Sequence, residues 1–289
     1  EKYDAVKALL KEADNRLGFS ISRMMFDGPD EELMKTEFTQ PAILTASVAV
    51  STILREHGLT PDVVAGHSLG EYSALVTAGA LSFSDAIHVV HLRGKYMQEA
   101  VPLGEGGMAA IIALDAESIK DICNTISTEE KPVQAVNFNC PGQVVIAGAT
   151  EAVKQACNAM KEAGAKMAVM LKVSAPFHSI MMEPAAVKLK EVLDTVTIQD
   201  AQMPVYANYN AAAEIKADDI RKNLVLQAAH PVLWDASIQQ MIADGADLMI
   251  EAGPGTVLSG FMKRINRRIR TLHAEDVETV TNVLNTWEE

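Results

Sequence analysis

Val63-Val64-Ala65-Gly66-His67-Ser68-Leu69-Gly70-Glu71-Tyr72-Ser73-Ala74-Leu75 is the stretch on which the fold turns. A short apolar run leads into a turn bounded by glycines, and a helical pattern toward Ala78 follows. Strand, tight turn and helix in that order make Gly66-x-Ser68-x-Gly70 a nucleophile elbow, in which a strained turn lifts a serine hydroxyl clear of the sheet edge. The first free N–H groups of the helix, beginning with that of Leu69, then point where an oxyanion would develop, and the helix dipole favours negative charge there. The plainer alternative is a glycine-bounded turn that happens to hold a serine.

Outward from the elbow, periodicity predicts helices over 3–17, 40–57 and 84–100, the second stopped by Gly58. From Met108 the elements become short and regular: strand 108–114, helix 116–126, strands 133–138 and 144–147, helix 151–163 and strand 165–171. That order is βαββαβ, the ferredoxin-like signature, with Asn139-Cys140-Pro141-Gly142 as the turn between its central strands. Residues 105–173 therefore read as an inserted subdomain, and 1–104 with 174–289 as the α/β unit that carries the elbow. Strand and helix alternate again after the insert, through Val205–Ala207 and Leu248–Glu251, which implies a mainly parallel sheet.

A chain of 289 residues, 48% hydrophobic and 22% charged, fits an ordinary globular α/β protein with one large unit and a smaller companion. Its formal charge of −13 argues against a nucleic-acid partner, because phosphate contacts need a surface excess of Lys and Arg. Cys123, Cys140 and Cys157 form no CxxC pair, so neither a disulfide framework nor a zinc site is implied, and a reducing, cytoplasmic compartment is expected. No segment has the unbroken apolar length of a membrane helix, and the opening Glu1-Lys2-Tyr3-Asp4 is no signal peptide, so no membrane partner is expected.

A serine hydroxyl requires a base within hydrogen-bond reach, and seven histidines are available. His67 adjoins Ser68, and since neighbouring side chains at a turn diverge, packing or orienting is its expected task. His57 ends a helix, where capping is the default, while His88, His91 and His273 have no local feature to recommend them. His178 stands in Ser174-Ala175-Pro176-Phe177-His178-Ser179, between a strand and a helix, where loops gather at a sheet edge. His230, before Pro231, is the other candidate, and spacing alone does not choose between the two.

Arg93 interrupts an apolar helical stripe of Ala86, Val90, Met97 and Ala100. A guanidinium on a buried face must find an anion or be strongly destabilising. An internal ion pair with Asp or Glu is the plainer reading; a bidentate clamp for a substrate carboxylate is the functional one. Gly104-Glu105-Gly106-Gly107 precedes a strand and reads as a hinge, not a dinucleotide loop. Lys263, Arg264, Arg267, Arg268 and Arg270 read as a solvated helix face that could also attract an acidic or phosphate-bearing partner.

The chain resembles the malonyl-CoA:acyl carrier protein transacylases along its whole length. The likeness is carried by Thr39-Gln40-Pro41-Ala42, by Gly66 to Leu75, by Arg93-Gly94-Lys95-Tyr96-Met97-Gln98, by Asn139 to Gly148 and by Glu251-Ala252-Gly253-Pro254-Gly255. The resemblance implies a hydrolase-like, mainly parallel α/β core with a ferredoxin-like βαββαβ insert. It makes Ser68 the serine that carries malonate, His178 its base, and Arg93 the partner of the malonyl carboxylate. It also places Gln227 as the main-chain carbonyl that orients the histidine, Leu69 in the oxyanion hole, and Met97, Phe177 and His67 beside the substrate. The implied reaction is ping-pong transfer from malonyl-CoA to the phosphopantetheine thiol of an acyl carrier protein, with the coenzyme A thioester as substrate, no cofactor or metal, and a monomer as the working unit. Relatives begin with a strand and a Gly-Gln-Gly-Ser-Gln loop, which this sequence lacks, and the natural protein is expected to have that segment. Two rivals stand beside this reading: a serine thioesterase or hydrolase with water as acceptor, and a catalytically silent docking module for acyl carriers.

Overall fold

The computed structural model describes residues 3–173 and 175–288, so Glu1, Lys2, Glu289 and Ser174 of the histidine loop lie outside the described residues. The chain opens with helices α1 (Asp4–Leu17), α2 (Ile21–Asp27), α3 (Asp30–Leu33) and α4 (Thr36–Glu56). The last of these starts four residues before the predicted position, and Pro41 lies inside it. Proline there has no N–H for the carbonyl of Glu37. The imidazole Nδ1 of His91, 2.9 Å away, takes that carbonyl instead, which gives a structural task to a histidine that had no local signal.

Strand β1 (Val64–Ala65) and helix α5 (Gly70–Thr77) flank the elbow, and α6 (Phe83–Glu99) packs back across α4. Then come β2 (Gly106–Ile112), α7 (Ala116–Ile126), β3 (Val133–Cys140), β4 (Gln143–Ala149), α8 (Thr150–Glu162) and β5 (Met167–Met170). Their sheet has the order β3-β4-β2-β5 with every neighbour antiparallel, the ferredoxin-like arrangement. It has an apolar core of its own between sheet and helices, centred on Ile111, Ile119, Ile146, Val153 and Met160. The β3–β4 turn is tighter than expected, because pairing runs to Cys140↔Gln143 and leaves Pro141 and Gly142 as the turn, with Gly142 at φ 74°.

The rest comprises a short 3-10 turn at Ile180–Met182, then α9 (Glu183–Leu193), β6 (Val205–Tyr206), β7 (Ala213–Glu214), α10 (Ala217–Ala229) and α11 (Trp234–Ala243). It ends with β8 (Leu248–Ala252), α12 (Val257–Ile265), β9 (Arg270–Ala274) and α13 (Val277–Thr286). Parallel pairing dominates this core: β1 with β6 and β8 with β9 are parallel, and β7 adds antiparallel to β6. The basic run is no single helix face, since α12 stops at Ile265 and Arg270 begins β9. In the glycine stretch at 104–107, Gly106 opens β2, and a Cβ there would meet Pro176 Cδ at 2.3 Å. That close approach ties the small sheet to the loop that carries His178.

Candidate active site

Two strained residues face each other at the end of β1. Ser68 has φ 52° and His178 has φ 62°, the left-handed region that side chains avoid unless the surroundings hold them there. Gly66 makes the serine turn possible, because a Cβ there would stand 1.9 Å from the backbone C and O of Gly70. Gly70 has no such role, with nothing within 4 Å of its own Cβ position. Asn208, just after β6, spans the turn: its Oδ1 accepts from the N–H of Ser68 at 2.6 Å and its Nδ2 donates to the carbonyl of Gly66 at 2.8 Å.

The hydroxyl of Ser68 lies 2.7 Å from Nε2 of His178, and Nδ1 of the same ring lies 2.8 Å from the main-chain carbonyl of Gln227. A carbonyl can only accept, so Nδ1 carries the proton and Nε2 is the acceptor for the serine. His178 is 3% exposed. Burial first, and the charge of Arg93 second, depress its pKa to about 3, which leaves the ring neutral at neutral pH. Helix α10 thus delivers a carbonyl where a triad would use a carboxylate. Leu69 precedes the first residue of α5, and its N–H is among the leading amides that the helix cannot satisfy internally.

Arg93 reaches the same point from the buried stripe of α6 and is 2% exposed. The expected ion pair is absent: among the described residues no carboxylate lies within salt-bridge distance of its guanidinium. Its partners are neutral. Nη1 donates to Gln40 Oε1 at 2.7 Å, and Nη2 donates to Gln227 Oε1 and to Ser68 Oγ, each at 3.0 Å. Nε has no partner among the described residues, and the Tyr72 ring lies 5.6 Å from the guanidinium carbon. Burial lowers the pKa of Arg93 from the ordinary arginine value.

The amide of Gln227 is oriented by what its nitrogen does: Nε2 donates to Ser68 O at 2.9 Å and to Glu71 Oε2 at 3.0 Å, which turns Oε1 to the arginine. Glu71 is fully buried and also accepts from the N–H of Asn208 at 2.8 Å. Burial pushes its carboxyl up to about 8, so it is neutral at neutral pH and provides no counter-charge for Arg93.

His67 turns away from Ser68, with Nε2 2.8 Å from Asn139 Oδ1, and burial lowers its pKa. Met97 is buried one helical turn beyond Arg93, and Phe177 packs between the main core and the small sheet. His230 caps α10 through its own Nδ1 and the carbonyl of Leu226 at 2.8 Å, a local contact that occupies the alternative base. A large cavity of about 1380 Å³ lies on the far side of the elbow, lined by Gly66, His67 and residues of β8, and Ser68, Arg93 and His178 do not line it. Among the described residues no three of His, Cys, Asp and Glu cluster as metal ligands. Gln40, Glu71 and Asn208 complete the site without having been singled out in the sequence. The first two sit in stretches that carried the resemblance, whereas nothing local marks Asn208.

Residues 3–287 match the acyl transferase domain family. The chain is 49% identical over 289 residues to the malonyl CoA-acyl carrier protein transacylase of Bacillus subtilis (strain 168), covering 100% of this chain and 91% of that one. It is 49% identical over 264 residues to the protein of the same name from Escherichia coli (strain K12), covering 91% and 85%. Among solved structures, the acyl-carrier-protein S-malonyltransferase of Burkholderia pseudomallei 1710b superposes with a TM-score of 0.95 at 42% identity, over 98% of this chain and 92% of that one. A malonyl-transacylase solved in complex with a type II PKS acyl-carrier protein also gives 0.95, at 45% identity with the same coverage. The chain belongs to the acyl transferase family, among its malonyl CoA-acyl carrier protein transacylases.

Proposed function

We propose that this protein moves a malonyl group from malonyl-CoA to an acyl carrier protein through an ester on Ser68. The observation that carries the residue assignment is the 2.7 Å contact between Ser68 Oγ and a neutral His178 beside a buried guanidinium that has no carboxylate partner among the described residues. His178 Nε2 takes the hydroxyl proton as Oγ attacks the thioester carbonyl, and the oxyanion forms against the N–H of Leu69 at the start of α5. Collapse expels the coenzyme A sulfur, which receives the proton from His178. The carrier's phosphopantetheine thiol then gives its proton to the same nitrogen and attacks the ester, which regenerates Ser68. Arg93 holds the distal carboxylate of the malonyl group, with Met97 and Phe177 around the acyl chain, whereas His67, turned toward Asn139 and away from Ser68, does not face it. Malonyl-CoA is substrate in this scheme, and no cofactor, metal, nucleic acid or membrane takes part. A cytoplasmic monomer is the proposed working unit. Residues 105–173 form the insert and the remainder forms the unit that holds the dyad, a division that the separate apolar core of the small sheet supports.

Brief exposure to malonyl-CoA followed by peptide mass analysis should find a malonyl adduct on the Ser68 peptide, which holo carrier protein then removes as malonyl carrier. Free malonate formed equally fast with and without the carrier would make the protein a hydrolase, and no adduct at all would leave only docking.

A further inference from the structure

In the free protein the nucleophile is itself occupied. Ser68 Oγ donates to His178 Nε2 and accepts from Nη2 of Arg93 at 3.0 Å, so its electron density is turned toward a cation. Building on the reading above, we propose that Arg93 is a latch on Ser68 that the substrate's own distal carboxylate releases. A donor acyl group bearing that carboxylate would then switch the nucleophile on as well as bind.

A guanidinium has five N–H groups, and both of its two-pronged edges, Nε with Nη2 and Nη1 with Nη2, use one hydrogen of Nη2. Here both Nη2 hydrogens are spoken for, one by Gln227 Oε1 and one by Ser68 Oγ. A carboxylate that docks in the two-pronged manner must displace one of them. Gln227 is the harder to move, since its amide is pinned by Ser68 O and Glu71 Oε2. Ser68 is the easier, having a second partner in His178. Among the described residues Nε has no partner and no carboxylate lies within salt-bridge distance, so the cation is under-satisfied, which favours exchange of a neutral oxygen for a charged one. Gln40 on Nη1 keeps the guanidinium near the site while it shifts. A neutral acyl group triggers no exchange, and its attack must break a charge-assisted hydrogen bond, a penalty on the order of tenfold or more in rate.

The test uses p-nitrophenyl acetate, a neutral ester, at pH 8, with the burst of p-nitrophenol reporting acylation and Ser68→Ala as the blank. Added formate should accelerate the burst of the parent protein saturably, by roughly tenfold. Arg93→Met should show a burst already raised by a similar factor and indifferent to formate. Inhibition by formate, or no effect on the parent protein, would overturn the latch, and that arm stands even if Arg93→Met does not fold. The Ser68 malonyl adduct is read separately: adduct without formate activation sinks the latch alone, whereas absence of adduct sinks the underlying reading.

Discussion

Gly94→Ala probes how closely two helices must approach for the site to exist. Gly94 follows Arg93 on α6, where that helix crosses the start of α4. A Cβ there would stand 2.5 Å from Thr36 O and 2.8 Å from Glu37 Cα. Both are backbone atoms, so no change of rotamer relieves the clash. Ordinary contact begins near 3.4 Å, and the helices must therefore part by about 1 Å. The hydrogen bond from Arg93 Nη1 to Gln40 Oε1, 2.7 Å long, joins the same two helices and would be stretched past its useful range. Overpacking of this kind costs about 1–3 kcal/mol, a large share of a domain's marginal stability. Misplacement of a binding group by about 1 Å can lower a rate roughly a hundredfold. Single-turnover loading of Ser68 from malonyl-CoA, quenched and weighed as intact protein, gives the rate, and urea unfolding gives the stability. Because Ser68 and His178 are not on α6, the loss should fall on malonyl loading more than on acetylation by a neutral ester. A variant that loads malonate within about twofold of the parent and unfolds at the same urea concentration would show that α4 and α6 need not approach so closely.

Three further outcomes follow from the same geometry. With His178 held at about 3, the base stays neutral in acid, so acylation at saturating malonyl-CoA should change less than about twofold from pH 7 to 5; a histidine at its ordinary value would lose about 25-fold, and such a loss would show that His178 is not the buried base described. Glu71 takes up a proton on folding, so its contribution to stability is complete below 4.5 and is lost as the pH rises toward 8. Glu71→Gln should therefore make the slope of unfolding free energy against pH more positive across that window by up to one proton's worth, on top of the downward slope that Glu214, pushed up to about 7, and the upward slope that His178, held at about 3, supply in both proteins, and an unchanged slope would count against a neutral Glu71. Asn208→Ala leaves the N–H of Ser68 and the carbonyl of Gly66 without their partner and should cost about 1–3 kcal/mol in urea unfolding together with most of the acylation rate, whereas full activity would mean the elbow holds itself.

Local chemistry made the elbow legible. An apolar strand, a glycine that no other residue can replace and a mostly buried helix are dictated by near neighbours in the chain, and so is the alternation of short elements that became the β3-β4-β2-β5 sheet. Periodicity likewise placed Arg93 on a buried face. Where local signals were weak the reading slipped: α4 begins before Pro41 because a ring nitrogen from α6 takes the carbonyl that proline leaves free. The C-terminal strand β9 and helix α13 were hidden behind a run of charge.

Partners were the larger gap, since a hydrogen bond between residues far apart in the chain leaves no trace in spacing. Position favoured His178 over the fallback His230 without deciding the matter, and folding brings the first to Ser68, 110 residues away, and leaves the other capping its own helix. Arg93 invited an ion pair, and tertiary packing surrounded it with two glutamines and a serine instead. Residue types and periods therefore determined which groups are buried and which turn is strained. The approach of α4, α6 and α10 decided which donor meets which acceptor, because that depends on ångström-scale distances between helices that no local rule encodes.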